Sequence, residues 1–385
     1  MMLPGFSFMT ASEILFGRGQ AAQTAGRIAA FGRRVLLVHG ATPARAEWLR
    51  RAIAGTGAEV SGFAVPHEPD MALIEVGLAH ARALRAEVVV ALGGGAVIDA
   101  GKAIAALVPA TRPMIDHLEV VGQGLPLDAA PLPFVAMPTT AGTGAEVTRN
   151  SVIAVPEERR KVSLRDPRML PRLAIVDPAL TDNSPRAVTL ASGLDAITQV
   201  IEPYVSTRAN ALTDALCRDA IPRGLKALIR LMEAEDKSAR DEIAWVSLAG
   251  GIALANAGLG AVHGLAGPLG GLTGAAHGAI CGTLLPHVLV ANRRAVMDPA
   301  LALRLDEVGR WIGAAFDADG GDLADAAERL AHWSRNAGLP GLAALGITAK
   351  DRADAAKAAA ASSSMKANPA VLPEDVLAEI MAAAD

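Results

Sequence analysis

The sequence predicts two domains: an α/β nucleotide-binding domain with a parallel sheet over residues 1–185, then an all-α domain over residues 186–385. Three observations predict this. The first half alternates short apolar runs, bounded by Gly or Pro, with helix-like stretches. Those runs are continuously apolar rather than alternating, as expected of parallel strands buried on both faces. Near residue 185 the strand signals stop, and helical periodicity broken by Gly-rich connections replaces them.

Taken in order, VLLVHG (35–40), VSGFAV (60–65), EVVVALGGG (87–95), PFVAMPTT (133–140) and LAIVDP (173–178) are the expected strands. PARAEWLRRAIAGTG and MALIEVGLAHARALRAE are helical segments between them. Ser184-Pro185 makes a helix start, a capping residue followed by Pro at the first helical position. Beyond it, ANALTDALCRDAIPRGLKALIRLMEAE, ARDEIAWVSLAGGIALANAG and LADAAERLAHWSRNAG are expected to be helices. No repeat of 20–50 residues is present.

Composition excludes several classes. The chain is 51% hydrophobic, yet no stretch of 18 or more residues lacks charges or breakers, so no membrane span is expected. The start, MMLPGFSFMTASEILFGRG, has neither a basic region before an apolar core nor a small-residue cleavage pattern, so no signal peptide is expected. Cys217 and Cys281 are too few for a disulfide framework, which fits a reducing cytoplasm. A net charge of −4 with interspersed signs, and a single tyrosine, argue against nucleic acid as a partner.

Two loops carry the nucleotide expectation. GGGAVIDAGKA (93–103) follows a strand and opens a helix, whose free N–H groups favour an anion. It is not the GxGxxG fingerprint, and alone it would also serve as a tight turn. MPTTAGTGAEVT (137–148) follows the next strand and supplies Thr139, Thr140, Thr143 and Thr148. Two such loops at the carboxyl ends of neighbouring parallel strands outline a crevice for a phosphate-bearing cofactor. The first strand ends at His39 and Gly40, with Arg45 shortly after, where NAD enzymes usually place an acid. That leaves room for a 2′-phosphate, so NADPH is expected as well as NADH; the alternative is a ribose lying in solvent.

The metal expectation rests on three residues. In GLDAITQVIEPYVS (193–206), Asp195 and Gln199 are four apart and share a helix face. His263 and His277 lie in the Gly-rich stretch AVHGLAGPLGGLTGAAHGAICGTLLPHV, with His287 beyond. A carboxylate and two imidazoles with an open position are how a catalytic divalent metal is normally held. A single His on an apolar stretch is more often a core group, and spacing alone does not bring these helices together.

Over essentially its whole length the chain resembles the iron-containing (group III) alcohol dehydrogenases. The matching segments are EILFGRG (13–19), GGGAVIDAGKA, PTTAGTGAEVT, LAIVDP, GLDAITQVIEPYVS, VHGLAGPLGG and HGAICGTLLPHV, in family order and spacing. The resemblance implies the dehydroquinate-synthase-like fold, with an active site in the cleft between the domains. It implies hydride transfer between NAD or NADP and an alcohol, aldehyde or ketone, with Fe²⁺ or Zn²⁺, in a homodimer or higher homo-oligomer. The family's pyrophosphate loop falls on Gly94, Gly95 and Ala96 with Asp99 beside it, and its nicotinamide-side loop on Thr139, Thr140 and Thr143. Its cofactor-approaching lysine corresponds to Lys161, and three of its four metal ligands to Asp195, His263 and His277.

Two positions depart from the pattern. The fourth ligand is replaced by Gln199, a weak ligand through its amide oxygen or a partner of metal-bound water. The second His of the family's His-x-x-x-His segment is replaced by Gly267. The expectation is therefore a three-ligand site of reduced affinity. A rival within the same fold is a metal-independent oxo-acid reductase of the maleylacetate reductase type, with Lys161 and Arg149 as carboxylate anchors. Two lesser readings are a dehydroquinate-synthase-type lyase, disfavoured because residues 193–206 and 261–290 are almost free of Lys and Arg, and a non-catalytic scaffold.

Overall fold

The computed structural model describes residues 5–318, 320–360 and 362–385. The first four residues of the N-terminal stretch considered above lie outside them. The chain divides into two units.

The α/β unit comprises Thr10–Thr140 and Gly144–Thr181. Its strands are β1 (Ile14–Phe16), β2 (Arg34–Gly40), β3 (Glu59–Val65), β4 (Val88–Gly93), β5 (Phe134–Pro138), β6 (Asn150–Val155), β7 (Arg160–Arg165) and β8 (Leu173–Val176). Six form a parallel sheet in the order β1-β8-β5-β4-β2-β3. Leu36, Val38, Val89 and Ala91 enter one core, whereas Val35, Leu37, Val88 and Val90 enter the core on the opposite face. Both faces are covered, which is why these strands read as unbroken apolar runs. The chain runs outward from β2 to β3, then returns to the other side of β2 for β4 and β5. The switch point of the sheet therefore lies between β2 and β4, beside the glycine loop.

All five expected strands are present within a residue or two of the sequence assignment. β1 and the antiparallel β6–β7 hairpin are additional. β1 is a three-residue edge strand, too short to show a period. The hairpin alternates buried and exposed residues over NSVIAV and RKVSLR. Its turn lacks Gly; Arg159 takes the left-handed conformation at φ 50°.

The hairpin is tied to the glycine loop's helix, Gly95–Leu107, by a buried lysine. Lys102 Nζ donates to Ala145 O (2.7 Å), and to Thr148 O, Thr148 Oγ1 and Asn150 O (each 2.9 Å). Ser151 Oγ adds a bond to Asp99 O at 2.8 Å.

The second unit takes the chain through Met9, Ala141–Thr143 and everything from Asp182 onward. All of its described regular structure is helical. Its centre is helix Arg186–Val205, in which every residue from Gly193 to Val205 is buried. A helix buried around its whole circumference lies in the middle of a bundle, and here it carries the polar Asp195, Gln199 and Glu202 inside with it. It packs against helices Ala211–Glu233, Lys237–Ala257 and His277–Ala295. The Ser-Pro start is one residue early, since Pro185 is the cap and Arg186 the first helical residue. Among the described residues no single helix is long and apolar enough to cross a membrane.

Candidate metal and cofactor site

Asp195, His263 and His277 come together within the helical unit, and Cys281 joins them. One ligand atom from each of the four lies within 4.8 Å of the others. Asp195 Oδ1 is 3.4 Å from His263 Nε2 and 4.0 Å from His277 Nε2. Cys281 Sγ is 3.6 Å from His277 Nε2. Asp195 and Cys281 are buried, yet Asp195 Oδ1 has no hydrogen-bond partner. An ionised oxygen out of water and without a donor is costly, and a cation is the usual remedy.

Local sequence explains how each side chain arrives. Asp195 sits in the fully buried part of its helix. His277 opens helix His277–Ala295, and Cys281 follows one turn later on the same face. Gly278 lets this helix come close: a Cβ there would lie 2.5 Å from Ala191 O and 3.3 Å from Asp195 Cβ.

His263 belongs to helix Ala261–Thr273, and Glu202 fixes its orientation. Glu202 Oε2 accepts from His263 Nδ1 at 2.6 Å, while Oε1 accepts from Val262 N at 2.7 Å. Because the carboxylate accepts, Nδ1 carries a proton, and Nε2 is the ring nitrogen turned toward Asp195, free to offer its lone pair once its own proton is displaced by a cation. Asn368 Oδ1 accepts from Ala261 N at 3.0 Å, completing the helix start. Gly260 makes room for both caps, since a Cβ there would approach Asn368 Oδ1 and Glu202 Oε1 within 3 Å.

Gln199 is buried on the Asp195 face, with its amide nitrogen donating to Gly142 O at 2.6 Å. Any ligand role is thereby confined to its Oε1. Gly267 lies one turn beyond His263, and a Cβ there would meet nothing within 4 Å.

The electrostatics of the cluster are those of acids and bases held close. Burial works against charge on His277, but the Cys281 sulfur and Asp195 outweigh it and push the imidazole up to about 9. His263 is likewise disfavoured as a cation by burial, and Cys281, Glu202 and Asp195 nevertheless raise it well above the ordinary range. Burial opposes ionisation of Asp195 too, yet His263 and His277 hold its carboxyl below the usual range. The arrangement thus stabilises positive charge at its centre.

In the α/β unit the two expected loops are neighbours. Gly93 and Pro138 are register partners, and Thr139 N donates to Gly93 O at 3.0 Å. A Cβ on Gly94 would lie 3.4 Å from Thr140 Oγ1. Helix Gly95–Leu107 starts with Gly94 as its cap, with no capping side chain and no acid in its first turn. Gly94, Gly95, Ala96 and Asp99 are all half-buried there. Such a start presents N–H groups and the positive end of the helix dipole to an anion. At the end of β2, His39 donates from Nδ1 to Gly40 O at 2.8 Å, and Arg45 is exposed. Lys161 lies on β7 and pairs with Glu68, and Arg149 immediately precedes β6. Thr143 belongs to the segment grouped with the helical unit.

Sequence reasoning did not reach Glu202 or Cys281. Both carried a signal in their spacing, Glu202 seven residues after Asp195 and Cys281 four after His277.

Comparison with known proteins agrees with this construction. Residues 11–178 match the family "Iron-containing alcohol dehydrogenase", and residues 189–384 match "Fe-containing alcohol dehydrogenase family, C-terminal". Alcohol dehydrogenase 4 of Saccharomyces cerevisiae is 35% identical over 285 residues, covering 74% of this chain and 72% of the yeast protein. The 4-hydroxybutyrate dehydrogenase of Cupriavidus necator is 33% identical over 325 residues, covering 82% and 83%. A crystal structure of 1,3-propanediol oxidoreductase superposes with a TM-score of 0.88 at 29% identity, covering 99% of this chain and all of that one. The chain belongs to the iron-containing alcohol dehydrogenase family and is an oxidoreductase acting on CH–OH groups.

Proposed function

We propose that this member of the iron-containing alcohol dehydrogenase family interconverts a small alcohol and its aldehyde or ketone, using NAD or NADP and Fe²⁺ or Zn²⁺. The observation that carries the metal part is the buried, unpartnered Oδ1 of Asp195 beside two imidazole nitrogens. Asp195, His263 and His277 would hold the metal, a carboxylate and two neutral imidazoles being a set that suits either ion. When bound, the metal supplies Lewis-acid polarisation of the substrate oxygen. The nicotinamide supplies or accepts the hydride.

The protein's own contribution is placement. Glu202 keeps His263 in the tautomer that offers Nε2. The start of helix Gly95–Leu107, with Gly94, Gly95 and Ala96, suits the pyrophosphate, and Asp99, Thr139, Thr140 and Thr143 are the polar groups assigned to the cofactor. Lys161 is assigned to the cofactor as well, through exchange of its Glu68 partner. The lack of an acid at the end of β2 supports acceptance of NADP alongside NAD. The open space at Gly267 supports a substrate bulkier or more polar than ethanol.

The test follows reduced-nicotinamide absorbance with NADH and NADPH against a panel of alcohols, aldehydes and oxo-acids. It is run before and after chelation, with add-back of Fe²⁺, Zn²⁺ or Mn²⁺. Activity on the alcohol–aldehyde pairs, lost on chelation and restored by metal, is expected. Full activity without metal would overturn the metal role. Turnover of oxo-acids alone would select the maleylacetate-reductase-type rival, and no turnover of any carbonyl compound would sink the proposal.

A further inference from the structure

We infer that Cys281 is a metal ligand, its thiolate completing an Asp195–His263–His277–Cys281 set. This rests on the metal reading above and goes beyond it, since it changes the fourth donor from a nitrogen or amide oxygen to sulfur.

Geometry carries it. Ligand bonds of about 2.0–2.3 Å in a tetrahedron put neighbouring donors about 3.3–3.8 Å apart. The separations of 3.4 Å (Asp195–His263) and 3.6 Å (Cys281–His277) fall in that range, and 4.0 Å (Asp195–His277) lies just outside it. The other pairs lie within 4.8 Å, so the four donors close on a cation by small side-chain shifts. Cys281 is fully buried and one helical turn from His277, so its direction is set by the same helix. Gly282, next to it, seats that helix on Leu194, where a Cβ would come within 2.7 Å. Asp195 Oδ1, buried and without a donor, is the second and independent sign that a cation belongs among these atoms. Gln199, by contrast, is anchored through its amide nitrogen to Gly142 O. Cys217, the other cysteine, lies on helix Ala211–Glu233 and is not a member of the cluster.

Chemistry gives the consequence. As the metal binds, the thiol proton and the second proton of each imidazole ring pass to solvent, and no electrons are transferred. Thiolate is a soft donor that favours Zn²⁺, whereas a carboxylate–imidazole set is less selective. The chain is thus expected to prefer Zn²⁺ over Fe²⁺ more strongly than a site without sulfur would.

The test uses the full-length protein, freed of metal and titrated with Co²⁺, whose visible ligand-field bands report binding and whose near-ultraviolet sulfur-to-cobalt band reports a thiolate. Wild type should show both. Cys281→Ser and Cys281→Ala should keep the visible bands and lose the near-ultraviolet one, with Zn²⁺ affinity reduced at least about tenfold. Gln199→Ala should keep both. Circular dichroism of each apoprotein checks folding, and the two cysteine variants back each other up. Visible bands in wild type without a sulfur band would overturn the Cys281 assignment and leave the metal site standing, as would a sulfur band that survives in both variants. No cobalt bands in any protein would overturn the metal site itself.

Discussion

Asp195 Oδ1 faces imidazoles whose own orientation is set one residue further out. His263 can turn its Nε2 inward only while Nδ1 is held, and Glu202 holds it at 2.6 Å. Glu202→Gln should therefore weaken Zn²⁺ binding about 10–100-fold, measured by chelator competition, with Asp195 and His277 untouched. An unchanged affinity would show that the Glu202 contact does not orient the ligand. The residue scale was legible in part. Asp195, His263 and His277 stand out because carboxylate and imidazole are the types that such chemistry needs. Glu202 and Cys281 do not, because a buried glutamate and a buried cysteine gain meaning only from what lies across a helix–helix contact.

At the scale of elements, two small devices hold the geometry. Gly278 lets helix His277–Ala295 settle on the Asp195 helix, and Gly278→Ala would press a methyl against Ala191 O. The variant should lose about 1–3 kcal/mol in urea unfolding together with part of its metal affinity. The second device is the Lys102 tie between the glycine-loop helix and the segment that follows the threonine loop. Beside it, burial pushes Glu146 up to about 7, with Lys102 opposing the shift. The folded state then binds a proton that the unfolded state has released between the ordinary glutamate range and about pH 7. Stability should fall as pH rises through that window. Glu146→Gln, which cannot ionise, should flatten the loss, a difference on the order of 1–3 kcal/mol by about pH 7.5. A wild-type profile with no decline there would refute the buried-acid account. The β6–β7 hairpin that Lys102 grips was hidden in the sequence, since its alternation is short and its turn relies on Arg159 rather than Gly. The inner parallel strands β4, β5 and β8 were plain because burial on both faces leaves no polar residue to blur them.

For the whole molecule, the order of motifs foretold more than any one of them. Continuous strands, then uninterrupted helices, sufficed for the α/β and all-helical layers. The grouping of Ala141–Thr143 with the helical unit could not be read from a loop that follows a strand. Because the metal binds only the folded arrangement, loading should stabilise the chain. At a free concentration a hundred times Kd the gain is about 2.7 kcal/mol, so chelation should lower Tm by a few degrees. Identical melting curves with and without chelator would contradict a site made of these four residues. The divided grip of Glu202, one oxygen on a ligand ring and the other on the Val262 amide, carries this further. Occupancy of the site and closure of the first turn of helix Ala261–Thr273 become two readings of one equilibrium. The exchange rate of the Val262 amide hydrogen then reports metal loading without any substrate present.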